Sequence, residues 1–372
     1  PPKYSKKELV PLSKHIAYLK TIPQPEQRTP AWYEFRRKRL TASDLATALG
    51  VNGESRIYEL IKKKIGQGKP FISGKAIKHG VKFEDVAVKI YEMRNNVKVD
   101  EYGCVPHPTI EIFGASPDGI CSPESENKNY VGRMLEIKCP YSRTITGIIP
   151  EYYYYQVIGQ LEVCDLEYCD FLECKIKEYT MRSEYLEDTL ETDNGKEWGK
   201  TKNGNEKGVL LEYRNIKKDK NQFSYAPIGI GPENMEIWLN VEMDKIDNDD
   251  NLTFNKLTFW KLVEYHTTLV KRDKYLWARI VPQIYDFWDN VQLCCKSGIN
   301  SVINKYRGYS PDTHIKSIKS PGFRKNKNKK KNEVFLPGNL MSSPISLPKG
   351  NEIQHRNNVP VTKGGYKFLN ST

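Results

Sequence analysis

The stretch from residue 130 to 176 constrains the fold most, because it runs strand, helix, strand with short connections. "GRMLEIKCP" reads as a short strand, "PEYYYYQVIGQLEVC" at about 150 to 163 as a helix, and "YCDFLECKI" as a second strand. Upstream, a helical segment at 75 to 94 precedes strand-like pieces punctuated by Gly and Pro, "YGCVPHP", "IEIFGAS" and "GICSP". The order helix, strands, helix, strand specifies an α/β class, a mixed α+β sheet flanked by helices.

Alternation along "MLEIKCP" places Glu136 and Lys138 on one strand face and Leu135, Ile137 and Cys139 on the other. Taken alone, an E-x-K pair is also what an exposed strand face with a weak surface ion pair looks like. Three neighbours add weight to a shared site. Asp118 sits in the turn of "FGASPDGICSP", eighteen positions before Glu136, where aspartate also suits the turn in its own right. Glu84 falls on the helical stripe of Ile77, Val81, Val88 and Tyr91, so a carboxylate points toward an apolar side and needs a cationic partner. Gln156 and Gln160, one helical turn apart beside four tyrosines, form a polar stripe able to reach the same place. Carboxylates with oxygen-only donors suit a hard cation such as Mg²⁺, with Mn²⁺ as substitute, and not zinc. Such a site activates water and offsets charge on a phosphate under attack, which points to metal-dependent phosphodiester hydrolysis.

The chain of 372 residues is 38% hydrophobic, enough for a real core, with no run long enough to span a membrane. The N-terminus "PPKYSKKELV" lacks the apolar stretch of a secretory signal, and the eight scattered cysteines show neither zinc nor disulfide spacing. These features predict reduced, mostly buried thiols in an intracellular, reducing compartment, and no membrane partner. The formal charge is +12, but residues 316 to 331 carry eight positive charges and residues 332 to 372 a further net two, so the first 315 residues keep 12 − 8 − 2 = +2. The strong basic signal is therefore in the tail, where it suits non-specific DNA attraction, a nuclear address or simple solubility.

The expected organisation is an extended, Pro-containing lead-in over residues 1–27, a folded domain over 28–300 and a basic, disordered tail over 301–372. Two short helices meet at Thr41-Ala42-Ser43, with Thr41 and Asp44 fitting a capping box and Gly50 a C-terminal stop. Residues 182 to 206 read as polar loop, "EIWLNVEMDKI" as strand or helical turns, and 254 to 294 as one or two long helices interrupted at Pro282.

In order, "WYEFRRKRLTASDLATALG", "GVKFEDVAVKIYE", "GASPDGICS", "LEIKCPYSR" and "YYYYQVIGQLEV" resemble the YqaJ-like viral recombinases. These belong to the lambda exonuclease and viral alkaline exonuclease group of PD-(D/E)xK nucleases. The resemblance spans about residues 28 to 175, and its motifs are specific as an ordered set. It implies a restriction-endonuclease-like core, here with a helical C-terminal extension. It also implies a Mg²⁺-dependent exonuclease that digests one strand of linear duplex DNA, 5′ to 3′, for recombination, repair or genome processing. By the same resemblance Asp118, Glu136 and the backbone carbonyl of Ile137 are metal ligands, with Glu84 near a second metal position. Lys138 is the catalytic lysine and Gln156 the glutamine of the helix that closes the site. Arg36, in W-x-x-x-R, binds the terminal 5′-phosphate, Ser43 assists it, and Arg143 contacts substrate. By charge alone Arg36 equally fits a solvated basic face. The implied partners are linear duplex ends and a single-strand annealing protein, with host cytoplasm or nucleus as the setting. Lambda exonuclease is much shorter, and the region 180–250 has no counterpart in it, which leaves oligomer formation, ring-shaped trimer assembly and processivity open. A structure-selective or nicking endonuclease, or a catalytically silent DNA-binding scaffold, uses the same core.

Overall fold

A computed structural model describes residues 5–68, 74–302 and 305–306 of the chain. In chain order the helices are α1 (Lys6–Thr21), α2 (Pro30–Arg37), α3 (Ala42–Ala48), α4 (Glu54–Lys64), α5 (Lys75–Asn95), α6 (Glu151–Cys164), α7 (Arg182–Glu187), α8 (Pro232–Asp247) and α9 (Lys274–Ser297). The strands are β1 (Leu40–Thr41), β2 (Val99–Asp100), β3 (Val105–Pro106), β4 (Phe113–Ala115), β5 (Gly119–Cys121), β6 (Met134–Lys138), β7 (Tyr168–Glu178), β8 (Leu190–Thr192), β9 (Gly195–Glu197), β10 (Lys207–Asn215), β11 (Lys220–Tyr225) and β12 (Leu252–Lys271).

The main sheet has the order β11-β10-β12-β7-β6-β5-β2. Its β6–β7 pair is parallel and every other neighbouring pair in it is antiparallel. A parallel pair cannot be joined by a hairpin, so a crossover must bridge it, and α6 is that crossover. A smaller sheet sets β4 between β1, its parallel partner, and β3. The mixed α/β class follows directly.

One face of the sheet is covered by α5, which buries Phe83, Val86, Ala87, Ile90 and Tyr91 against Leu135 and Ile137 of β6 and Leu172, Cys174 and Ile176 of β7. A fully buried phenylalanine such as Phe83 or Phe171 stabilises the fold by about 1.5–3 kcal/mol. With Leu135 and Ile137 turned to α5, the two-residue period turns Glu136 and Lys138 to the opposite face, where α6 lies. Helix α6 is buried almost throughout from Tyr155 to Cys164 and is held close to α3 and β4 by Gly159. A Cβ at Gly159 would stand 3.1 Å from Phe113 and 3.2 Å from Ala42, so a larger residue would push these elements apart.

Several expectations are corrected. The lead-in is a helix, α1, for most of its length, and it buries Ile16 and Leu19, while His15 donates through Nε2 to the carbonyl of Cys164 at 2.7 Å. Pro11, inside that helix, hid an apolar spacing of Leu9, Leu12, Ile16 and Leu19. On α5 the buried stripe is rotated from the expected one: Ile77 is 42% exposed, and Glu84 stands at the flank of the apolar face. Thr41 does not form a capping box; its hydroxyl donates to the Asp44 carboxylate at 3.1 Å, and Asp44 is occupied by lysines. Residues 182 to 206 hold α7 and the β8–β9 hairpin, and "EIWLNVEMDKI" lies in α8.

The largest correction concerns residues 252–271, which form β12, a 20-residue strand that pairs with both β7 and β10. The C-terminal extension is thus sheet as well as helix. Helix α9 runs through Pro282 without interruption, because Trp277, Ile280, Ile284 and Phe287 are buried on its inner side and outweigh the roughly 3 kcal/mol that an interior proline costs. Cysteines 104, 121, 139, 164, 169, 174 and 294 are buried, Cys295 is exposed, and all are unpaired thiols. No helix among the described residues is long and apolar enough to cross a membrane. The basic run expected at 316 to 331 lies outside the described residues.

Candidate active site

Strand β5 pairs antiparallel with β6, Gly119 opposite Leu135, so one step further puts Asp118 opposite Glu136 on the same face. The turn that holds Asp118 can approach this closely because residue 119 is glycine: a Cβ there would lie 2.2 Å from Cγ1 of Val99 on β2. Oδ2 of Asp118 accepts from the Ile137 amide at 2.6 Å, which fixes the turn against β6. The turn preference and the site therefore coincide in one residue.

Glu136 is 1% exposed, which rules out the reading of E-x-K as a solvated strand face. Its two oxygens are met by Gln156 at 2.7 Å and Gln160 at 2.6 Å, both donating through Nε2 from α6. Gln160 also reaches the carbonyl of Ser116 at 3.2 Å. Lys138 donates to Glu136 and lies with Nζ 4.7 Å from the Tyr153 ring centroid. On the α5 side, Glu84 accepts from Arg28 at 2.8 Å.

The electrostatics join these groups into one pocket. Burial raises the pKa of Asp118 well above its ordinary value, and the Glu136 and Glu84 carboxylates raise it further, against Lys138 and the Ile137 amide. Burial also raises Glu84, opposed by Arg28 and Lys138 and reinforced by Asp85 and Glu136. Burial alone would lower the Lys138 ammonium, but Glu136 and Asp118 outweigh it and hold the lysine charged. Three carboxylates thus share two cations. In this arrangement no three His, Cys, Asp or Glu side chains among the described residues converge tightly enough to hold a metal ion. Their oxygens are instead engaged by the chain's own donors, Lys138, Arg28, Gln156, Gln160 and the Ile137 amide.

A second polar constellation lies on α2, α3 and α4. Arg36 stacks on Trp32, 4.2 Å from its ring centroid, and donates to Ser43 Oγ at 2.8 Å. Lys64, only 1% exposed on its side chain, pairs with Asp44 at 2.9 Å and donates to the Arg36 carbonyl at 2.9 Å, while Lys63 reaches Asp44 at 3.3 Å. Burial would raise the Asp44 carboxyl, but Lys64, Lys63 and Arg36 hold it well below the usual carboxylate range. Trp32 donates through Nε1 to Ser116 Oγ at 3.1 Å, two residues before Asp118, and so links the two constellations.

Of the residues singled out from sequence, Glu136, Lys138 and Gln156 meet directly, Asp118 is tied to them by the Ile137 amide and by charge, and Glu84 by charge alone. Ile137 contributes its amide to Asp118; Arg36 and Ser43 meet each other. Arg143 lies apart on the loop after β6 and binds Glu173, which is fully buried. Sequence reasoning missed Arg28, Lys64 and Trp32. Arg28 adopts φ +64°, a left-handed backbone that is uncommon for an arginine and that no periodicity foretells.

Residues 31–167 match the YqaJ-like viral recombinase domain. An uncharacterized protein of Acanthamoeba polyphaga mimivirus is 32% identical over 312 residues, covering 77% of this chain and 56% of that protein. A protein of African swine fever virus is 27% identical over 160 residues, 36% of this chain and 45% of its own length. The chain thus spans about half the length of these viral relatives. An alkaline exonuclease from Laribacter hongkongensis is a structural neighbour with a TM-score of 0.42 and 20% identity, covering 75% of this chain and 99% of that one. The ordered motifs and the match to the YqaJ-like viral recombinase domain coincide over residues 31–167.

Proposed function

We propose that the chain is a metal-dependent DNA exonuclease that hydrolyses one strand of linear duplex from its 5′ end. The observation that carries this reading is the cluster of Asp118, Glu136 and Glu84 about Lys138, an all-oxygen donor set in which burial and the neighbouring carboxylates raise the pKa of Asp118 and Glu84. Such a surplus of negative charge fits a hard divalent cation, Mg²⁺ or Mn²⁺, held by Asp118, Glu136 and the Ile137 carbonyl with Glu84 beside them. When bound, that cation supplies an acidified water and takes up charge developing on the phosphate.

The chain's own groups carry the rest. Lys138 stays protonated and stands where it orients the attacking water or neutralises a phosphate oxygen. Gln156 and Gln160 hold the Glu136 carboxylate in one orientation. Arg36, with Lys63 and Lys64 around a single carboxylate, leaves a positive surplus suited to a terminal 5′-phosphate, and this sets the polarity. Arg143 engages the strand beyond the scissile bond. A relative named as an alkaline exonuclease is consistent with this chemistry.

Purified protein incubated with linear duplex and Mg²⁺ is expected to release nucleotides, and EDTA is expected to stop the release. Covalently closed circular duplex separates exonuclease from endonuclease. Cleavage of the circle at the linear rate would replace this reading with an endonuclease, and DNA binding with no cleavage of either would replace it with a silent scaffold.

A further inference from the structure

Near Glu136 and Lys138 in the chain stand exposed aromatic rings, Tyr141 and Tyr152, that the core does not bury. On the α6 side, Tyr152 is 37% exposed and lies 4.2 Å, centroid to centroid, from Tyr153 with the rings tilted by 50°. Tyr153 is backed by Phe171 at 5.5 Å and carries the Lys138 ammonium at 4.7 Å. On the α5 side, Tyr141, three residues beyond Lys138, is 55% exposed and rests edge-on against His79 at 5.4 Å. Tyr141 and Tyr152 thus each have a ring neighbour and remain exposed to solvent.

The charges around these rings favour one kind of occupant. Lys138 stands over the Tyr153 ring that Tyr152 touches, which puts a cation next to the ring pair. A phenol ring with a cation beside it matches a nucleotide: the base meets the π-face and the backbone meets the charge. A paired base hides its face within the duplex, so such a surface favours bases already separated from their partners.

We propose that Tyr152, supported by Tyr153 and with Tyr141 on the α5 side of β6, is a stacking platform for unpaired nucleobases of the strand entering the pocket. This deepens the DNA-processing reading of the site and rests on it for the direction of the strand. The platform is indifferent to base identity, since every base presents a π-face.

Fluorescence anisotropy with a labelled single-stranded oligonucleotide, and separately with a blunt duplex, tests the proposal in EDTA. Tyr152→Ala is expected to weaken single-strand binding about tenfold while leaving blunt-duplex binding and the salt slope unchanged, because no charge is removed. Tyr152→Phe is expected to bind as the wild type does, and Tyr141→Ala to show a smaller loss in the same direction. Unchanged single-strand affinity in Tyr152→Ala would overturn the platform. So would an equal loss in Tyr152→Phe, which would assign the effect to the hydroxyl. Binding is read without cleavage, so a chain that failed to degrade DNA would leave this result standing, and loss of the platform would not remove the hydrolytic site.

Discussion

Two polar constellations, joined by the Trp32–Ser116 hydrogen bond, are mismatched in opposite senses. The pocket on β5, β6 and α5 sets three carboxylates against two cations, Lys138 and Arg28, whereas the patch on α2, α3 and α4 sets one carboxylate, Asp44, against Arg36, Lys63 and Lys64. Their aspartates shift accordingly, Asp118 upward and Asp44 downward. Folding stability alone would favour matched or apolar groups at such places, because an uncompensated buried charge is costly. On the proposed reading the two mismatches suit opposite ligands, a cation for the first and an anion for the second.

The largest effect expected is on activity at the negative pocket. Asp118→Asn should lower the rate of DNA degradation roughly a thousandfold, since it removes a carboxylate from the reacting centre. The same variant should be more stable in EDTA, by on the order of 1 kcal/mol at neutral pH, because the buried charge is gone. A variant that lost both activity and stability would show Asp118 to be a structural residue.

The positive patch should respond in the opposite way. Asp44→Asn should destabilise the fold by about 3 kcal/mol, because Lys64 would be left buried without its partner. Chemical denaturation of the two variants side by side checks the contrast.

The pH dependence sharpens it. Asp44 has a folded pKa below the ordinary aspartate value of 3.8, so its contribution is fully present above 3.8 and is lost as pH falls from there toward the folded value. Asp118 has a folded pKa above 3.8, so its ionisation costs stability increasingly as pH rises from 3.8 toward the folded value. Melting temperatures across pH 3 to 8 should therefore show two differences from wild type that grow with pH and have opposite signs, a deficit for Asp44→Asn and a gain for Asp118→Asn. Differences of the same sign would break the comparison.

Smaller effects follow at the patch. Arg36→Ala should cut degradation of 5′-phosphorylated ends about tenfold, to the rate of 5′-hydroxyl ends, and leave the latter unchanged. Lys63→Ala, exposed at the rim, should change little beyond reducing the salt slope of DNA binding by about one unit.

What was legible in the sequence is what short-range periodicity encodes. Alternation along β6 assigns Glu136 and Lys138 to one face, and the helix and strand after it follow from apolar spacing and turn residues. Residues 252–271 mislead because they run straight on into the Trp- and Tyr-bearing α9, although the Thr, Val and Phe residues of β12 itself favour a strand. Glu84 was found for an inexact reason: α5 buries a face turned away from the expected stripe, and the glutamate reaches the site from its flank. Arg28 and Lys64 act through contacts 56 and 20 residues away in sequence, and only the fold brings them to Glu84 and Asp44.

Digestion of a linear duplex labelled at either the 5′ or the 3′ end of one strand, with Mg²⁺ and with wild type beside Asp118→Asn, bears most directly on the claim that the negative pocket performs the hydrolysis. The expected result is early release of the 5′ label and late release of the 3′ label by the wild type, with neither released by the variant. Equal release by Asp118→Asn, or no release by the wild type, would contradict it.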